Sequence, residues 1–507
     1  MSKFVSAAEA AMLVKDGDTV AISGNGAGMV SGEAIFAAIE ERFLTTGHPR
    51  DLTLVHSLGI GDRGELGTNR FAHEGMIRRV IAAHFTWSRR MQELIREEKV
   101  EAYCFPGGVI QHLLREIGAG RPGLFTHSGL NTFVDPRQDG GRCNSRSKDE
   151  LVNLLIVDGK EVLHYRPFKV DVAIVRGTYA DARGNISPEE EAVDLDIHTV
   201  ALAAHNSGGV VLAQVRQLVE AGGLHPRSVR IPGIMVDAIV QDPDQTLFYG
   251  RGYDTTVSGA RRALLVNDRP EIPEKLERRI IARRAALELK AGASLNFGFG
   301  MPGGIFGVIA EEGSRDRLWM SVEQGVHNGS MLDDALFGAA RNMDAILPSI
   351  EQFDYYSGGG IDIAFLGMGE IDAEGNVNVS HLGGNLIGPG GFIEIAQNAK
   401  KVVFCGAFDA QGSRLDFTDG TLRVLQPGRV RKFVERVERV TFSAEFARQH
   451  GQEVLYITER AVFKLTTRGL QLMEVAPGID VERDVLAGMP FRPIVENVAT
   501  MPMQSFK

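Results

Sequence analysis

Three cysteines in 507 residues, Cys104, Cys143 and Cys405, are too few for a disulfide framework, and no two stand at metal-ligand spacing. No run approaches the ~18 consecutive apolar residues of a membrane span. The opening Met1-Ser2-Lys3-Phe4 has no signal-peptide apolar core. The expectation is a cytoplasmic chain with no membrane partner. Basic runs are missing as well: 55 Lys+Arg against 65 Asp+Glu leave a net charge of −10. Nothing tracks phosphates, so no nucleic-acid partner is expected. The P-loop pattern GxxxxGK[ST] is absent, which removes most support for phosphoryl transfer, and so is the hydrolase elbow GxSxG. His56, His84, His112, His127, His205, His327 and His381 show no HExxH or other metal spacing, so no metal is expected.

Prolines number only 19 against 59 glycines, so the glycines are not low-complexity filler. Excess glycine in a folded chain marks tight turns or backbone pressed against a ligand. Hydrophobic residues at 44% and charged residues at 24% are ordinary globular usage, and the length predicts two large domains or about three smaller ones.

An internal repeat favours two. Lys15-Asp16-Gly17-Asp18-Thr19-Val20 with Gly24-Asn25-Gly26 resembles Lys290-Ala291-Gly292-Ala293-Ser294-Leu295 with Gly298-Phe299-Gly300, with Gly17 and Gly292 lying 275 positions apart. Each copy follows a helical pattern (7–14, capped by Ser6, and 274–289) and feeds another (32–40 and 304–311). Asp171-Val172-Ala173-Ile174-Val175 leads to Asp181-Ala182-Arg183-Gly184-Asn185, and Asp362-Ile363-Ala364-Phe365-Leu366 leads to Asp372-Ala373-Glu374-Gly375-Asn376, at an offset of 191. A third pair, Ala204-His205-Asn206 and Ala396-Gln397-Asn398, keeps the order at an offset of 192. The fall in offset gives the first half about 80 extra residues, expected to include the Gly/Arg-rich, loop-like stretch 105–144.

The short apolar runs 52–55, 172–175, 210–212, 363–366 and 402–405 read as strands buried on both faces, alternating with helices. The fold expected is α/β: two similar, duplicated domains with mainly parallel sheets flanked by helices. The first spans 1–260 with an inserted segment near 75–150. The second spans 275–507, with an exposed linker around Arg261-Arg262 and Asp268-Arg269-Pro270. In such sheets ligands gather at strand ends, where the glycine turns lie.

Ser321-Val322-Glu323-Gln324-Gly325 delivers a carboxylate at the end of an apolar run, where a nucleophile or base belongs. Its first-half counterpart carries Ser57, so only one copy keeps the carboxylate. A Glu after a strand is ordinarily a solvated or turn-capping residue, and spacing alone favours that reading. Gly388-Pro389-Gly390-Gly391-Phe392 precedes a helical pattern at 393–399; its backbone N–H groups suit phosphate or pantetheine oxygens, or simply a tight turn. Gly358-Gly359-Gly360 reads the same two ways. His327, near Glu323, is a substrate contact or a turn histidine. Cys104 reads as buried.

Together these blocks resemble the family I CoA-transferases, most closely the fused single-chain acetate/propionate (acyl-CoA:acetate/3-ketoacid) type. The resemblance rests on the 321–325 block, Tyr356-Ser357-Gly358-Gly359-Gly360-Ile361-Asp362, Gly375-Asn376-Val377-Asn378-Val379-Ser380, Gly388 to Phe392, the 397–406 run, and Phe133-Val134-Asp135-Pro136-Arg137. It implies CoA transfer from a short-chain acyl-CoA to a carboxylic acid, ping-pong, through a glutamyl-CoA thioester on Glu323, in ketone-body or short-chain fatty acid metabolism. It further implies oxyanion stabilisation by backbone at Gly367 and Met368, and CoA binding at Gly388, Gly390, Gly391 and Phe392. No cofactor is implied, since CoA is a substrate, and the family habit is a homo-oligomer. After the E-x-G block the sequence departs from the family's small, Gly-rich continuation: Val326-His327-Asn328-Gly329-Ser330 is expected to border the acyl pocket, with His327 and Asn328 as its lining. An acyl-CoA hydrolase using the same Glu, or a non-catalytic CoA or sugar-phosphate sensor, are the alternatives.

Overall fold

The computed structural model describes residues 3–24, 26–264 and 270–507. Asn25 of the first glycine turn, Met1 and Ser2, and Asp268-Arg269 of the expected linker lie outside the described residues. Two compact units emerge: one comprises residues 1–263, 323–354 and 383–391, the other 264–322, 355–382 and 392–507.

The core of the first unit is a seven-strand parallel run. Its strands are β1 (Thr19–Ile22), β2 (Leu52–His56), β3 (Ile77–Ala82), β4 (Glu101–Cys104), β8 (Val172–Asp181), β10 (Val210–Val219) and β11 (Ala238–Gln241). They lie in the order β11-β10-β8-β1-β2-β3-β4. Every residue of β2 is buried, and so are nine of the ten in β8, which is why these segments read as continuous apolar runs. β9 (Ile186–Ser187) pairs antiparallel with β8, and β5 (Leu124–Thr126), β6 (Val152–Val157) and β7 (Lys160–Tyr165) form a separate antiparallel sheet. Helices α1 (Ala7–Ala11), α2 (Glu33–Thr46), α3 (Arg89–Arg96), α4 (Gly107–Gly118) and α5 (Ile197–Asn206) complete the unit. Ser6 and Glu9 close a capping box at α1.

In the second unit, α6 (Leu276–Ala286) and α7 (Gly304–Glu312) flank β12 (Ser294–Phe297) and β13 (Trp319–Ser321). The order is β13, β12, Ile363–Gly367, Lys401–Cys405 and Glu453–Ile457, all parallel. Three further strands, Ala461–Thr466, Gly469–Val475 and Ile494–Thr500, extend that edge. Position for position, the five parallel strands repeat the order β2-β1-β8-β10-β11.

The repeat extends to single hydrogen bonds. Asp171 accepts from the Thr19 N–H at 3.0 Å, and Asp362 from the Ser294 N–H at 2.9 Å. Asp181 gathers the N–H groups of Arg183 and Asn185 and the Asn185 amide; Asp372 gathers those of Glu374 and Asn376 and the Asn376 amide. Gly17 and Gly292 share a left-handed φ, +79° and +78°, which explains a glycine at that place in both copies.

Two expectations need correction. The stretch 105–144 is not all loop, because α4 lies within it. Val109, Ile110, Leu113, Leu114 and Ile117 form a buried helical stripe that the leading glycine pair obscured. Nor does the C-terminal unit carry Glu323. Segments 323–354 and 383–391 cluster with the first unit, where the Gly28 N–H donates to the Ala335 carbonyl (2.9 Å), the Ile350 N–H to Asp196 (3.1 Å) and the Gly390 N–H to the Ala83 carbonyl (2.9 Å).

Candidate active site

Glu323 stands two residues past the end of β13, beyond the buried Ser321 and Val322. The chain must turn at once, and Gly325 makes that possible. Its φ is +92°, and a Cβ there would lie 1.9 Å from the Leu347 carbonyl oxygen. The Leu347 N–H closes the turn onto the Gly325 carbonyl at 2.9 Å. Val326–His327 then pairs antiparallel with Ala345–Ile346.

The half-buried carboxylate meets the glycine turn 388–391. Its Oε2 accepts the Gly391 N–H at 3.0 Å, and a Cβ at Gly390 would lie 3.8 Å from Oε1. At Gly391 a Cβ would fall 2.1 Å from Oε2 and 2.7 Å from the Phe353 ring, so only glycine fits. The turn is seated by Gly388 (φ +86°), packed so that a Cβ would approach the Ala83 carbonyl oxygen to 2.3 Å. The Gly107 N–H also donates to the Gly390 carbonyl at 2.8 Å. Behind the carboxylate, Ser349 Oγ donates to the Glu323 carbonyl at 2.7 Å. Loss of hydration pushes the Glu323 carboxyl up to about 7, against the pull of the Gly391 N–H, which favours the anion. Near neutrality the group is poised between acid and carboxylate. Its anion is poorly solvated, more basic than an ordinary Glu and therefore a better nucleophile.

The remaining predicted residues divide. Gly388, Gly390 and Gly391 gather in the first unit with Glu323; Gly367, Met368 and Phe392 belong to the second. There Gly367 ends its strand with no atom nearer than 3.8 Å to where a Cβ would sit, and Lys432 Nζ donates to the Met368 carbonyl at 3.1 Å. Phe392 opens the helix Phe392–Asn398 and stacks on Phe404. His327 is a strand residue: its Nε2 bonds Gln352 Oε1 at 2.6 Å, and desolvation holds its pKa below the usual value. Asn328, in left-handed backbone, donates to Asp344 at 2.8 Å. His56 and His84 are pushed down to about 4 by burial and stay neutral. Cys104 and Cys405 are buried cysteines outside any disulfide. Among the described residues no cluster of His, Cys, Asp or Glu is placed to hold a metal, and no helix is long and apolar enough to cross a membrane.

Sequence reasoning singled out Glu323 and the glycine turn separately. Their contact across 68 residues, and the roles of Ser349 and Phe353, carried no sequence signal.

A model of the coenzyme A transferase family matches residues 4–242. The chain is 42% identical over 504 residues to a caffeate CoA-transferase of Acetobacterium woodii, covering 98% of this chain and 95% of the relative. It is 40% identical over 493 residues to the acetate CoA-transferase YdiF of Escherichia coli K12, covering 97% and 92%. The chain belongs to the coenzyme A transferase family. It is an enzyme of the CoA-transferase class, with the α/β architecture of that class. The crystal structure of the acyl-CoA transferase YdiF from E. coli O157:H7, a thioester complex with CoA, superposes with a TM-score of 0.94 at 37% identity, covering 100% of this chain and 96% of that one.

Proposed function

We propose that this CoA-transferase exchanges CoA between short-chain acyl-CoAs and carboxylic acids with Glu323 as the nucleophile. The observation that carries the reading is the poorly hydrated Glu323 carboxylate, held at 3.0 Å by the Gly391 N–H and set against the two glycines Gly390 and Gly391. The Glu323 oxygen attacks the thioester carbonyl; the C–S bond breaks, giving a mixed anhydride and CoA thiolate. The thiolate attacks the glutamyl carbonyl, releasing the donor's acid and leaving a glutamyl-CoA thioester. The acceptor carboxylate repeats the two steps in reverse, and Glu323 returns unchanged. One thioester replaces another, so the exchange is near isoenergetic and needs no cofactor, CoA itself being a substrate.

Carboxylate is a weak nucleophile, and three features of this chain offset that. Gly391 and the Ser349 contact orient it; near-attack positioning is worth ~7–11 kcal/mol in the best intramolecular cases. Partial desolvation raises its basicity. Backbone at Gly367 and Met368 serves the oxyanion, the Lys432 bond to the Met368 carbonyl steadying that segment. Gly388, Gly390, Gly391 and Phe392 form the CoA-binding turn, and residues 326–330 border the acyl pocket. His327 and Asn328 act there by shaping the loop through Gln352 and Asp344. We place the enzyme in the cytoplasm as a homo-oligomer.

The test is isotope exchange. With acetyl-CoA and labelled acetate and no second acid, the enzyme should move label into acetyl-CoA with parallel-line kinetics, and Glu323→Ala should abolish the exchange. Exchange by the alanine variant, or release of free acid without an acceptor as the main reaction, would overturn the proposal.

A further inference from the structure

A buried polar relay reaches the Glu323 peptide from the first repeat. Ser349 Oγ, which donates to the Glu323 carbonyl at 2.7 Å, accepts from Gln111 Nε2 at 3.1 Å. The same amide nitrogen donates to Asp196 Oδ2 at 2.7 Å, and Asp196 Oδ1 accepts the Ile350 N–H at 3.1 Å. Ser349, Gln111 and Asp196 are at most 4% exposed. Gln111 Nε2 has two protons, and Asp196 and Ser349 take its two shortest contacts; Ser57 follows at 3.4 Å.

The relay has a direction. The NH2 end of Gln111, not its carbonyl, faces Asp196, whose Oδ2 accepts from it at 2.7 Å. The second proton on that nitrogen points to Ser349 Oγ at 3.1 Å. The serine's own proton has two acceptors in reach, the Glu323 carbonyl at 2.7 Å and Gln111 Oε1 at 3.3 Å, and the shorter contact is to Glu323. Asp196 also occupies an unusual place. It is the N-cap residue of α5, where an Asp side chain ordinarily caps its own helix, yet no such bond is made. Asp196 and Leu195 instead adopt consecutive left-handed conformations, φ +53° and +61°, unfavourable for residues with a Cβ. The strained, uncapped position leaves the buried Asp196 carboxylate on the Gln111 amide and the Ile350 N–H, and it is Gln111 that reaches the serine hydroxyl.

We propose that Asp196, Gln111 and Ser349 are positioning residues that fix the Glu323 backbone, and with it the aim of its carboxylate. This rests on the reading of Glu323 as nucleophile. Rapid-quench mass spectrometry of enzyme mixed with acyl-CoA tests it by timing the appearance of CoA on Glu323. Ser349→Ala removes the donor, and Asp196→Asn, matched in shape, removes the polarity that sets the Gln111 amide. Each should slow adduct formation by ~10- to 100-fold, the range expected for misplacing a reacting group, with KM for acyl-CoA within about twofold. The double variant should be no slower than Ser349→Ala within about twofold, because Asp196 acts through Ser349. Either single variant labelling at the wild-type rate, effects that multiply in the double variant, or losses confined to KM would overturn the relay. Absence of a Glu323 adduct in the wild type would overturn the nucleophile reading and the relay with it.

Discussion

Gly391→Ala tests the geometry around Glu323 at its tightest point. The new methyl would stand 2.1 Å from Glu323 Oε2 and 2.7 Å from the Phe353 ring, whose side chain is itself fully buried. Gly391 does not occupy left-handed backbone, so the effect is one of contact rather than conformation. The carboxylate must swing away and lose its N–H donor. A hydrogen bond to a charged group contributes about 1.5–3 kcal/mol, and displacing a reacting atom by about 1 Å costs on the order of 100-fold. The expected fall in kcat/KM is therefore roughly 10³- to 10⁴-fold, about 4–6 kcal/mol of barrier. The pH profile adds an independent signature. Attack needs the anion, so wild-type kcat/KM should rise with pH through an acid limb near 7, reporting the free-enzyme group. The Gly391 N–H favours the anion, so its displacement should move that limb to higher pH. Initial exchange rates across pH 5.5–9 at low acyl-CoA, with circular dichroism confirming the fold, measure both. Near wild-type kcat/KM with an unmoved limb would refute the reasoning.

The same carboxyl links activity to stability. Because its pKa in the folded chain lies above the usual 4.5, at about 7, the folded state holds more protons than the unfolded one between those values, and stability is lost as pH rises through that window. Glu323→Gln should match wild type in urea unfolding near pH 4.5 and exceed it by up to about 3 kcal/mol at pH 8. Ser57→Ala, which disturbs contacts of 3.3 and 3.4 Å, should keep turnover within about tenfold of wild type, and a loss equal to that of Glu323→Ala would mean both copies of the repeat are catalytic. Replacing His327 and Asn328 with glycine should alter kcat/KM ratios among acyl chains by about 1–3 kcal/mol per methylene if the loop tunes pocket size; unchanged ratios across a panel of acyl-CoAs would show that it does not select the acid.

Much of the architecture was legible because its signals are local. A strand buried on both faces needs only a short apolar run, and the Asp-x-x-Gly-Asn turns write their hydrogen bonds into five consecutive residues. Helix α4 was obscured because Gly107 and Gly108 at its start imitate a turn, although the apolar stripe behind them is regular. The site was legible only in its separate parts. Glu323 stood out by its place after a strand and Gly391 by its glycine neighbours, but the bond between them depends on how 323–354 and 383–391 pack on the first unit. Gln111, Asp196 and Ser349 are common residue types at unremarked positions, and their meaning lies in the direction of three hydrogen bonds. His327, read as a substrate contact or a turn residue, is committed to Gln352 by strand pairing that its sequence neighbours do not announce.

The central claim is that CoA becomes covalently attached to Glu323. Enzyme incubated with acyl-CoA and no acceptor, then digested and mapped by tandem mass spectrometry, should carry CoA in thioester linkage on the peptide containing Glu323. Hydroxylamine should remove the mass, and an added carboxylic acid should discharge it as a new acyl-CoA. CoA on any other residue, or none on a preparation that is fully active in exchange, would contradict the account.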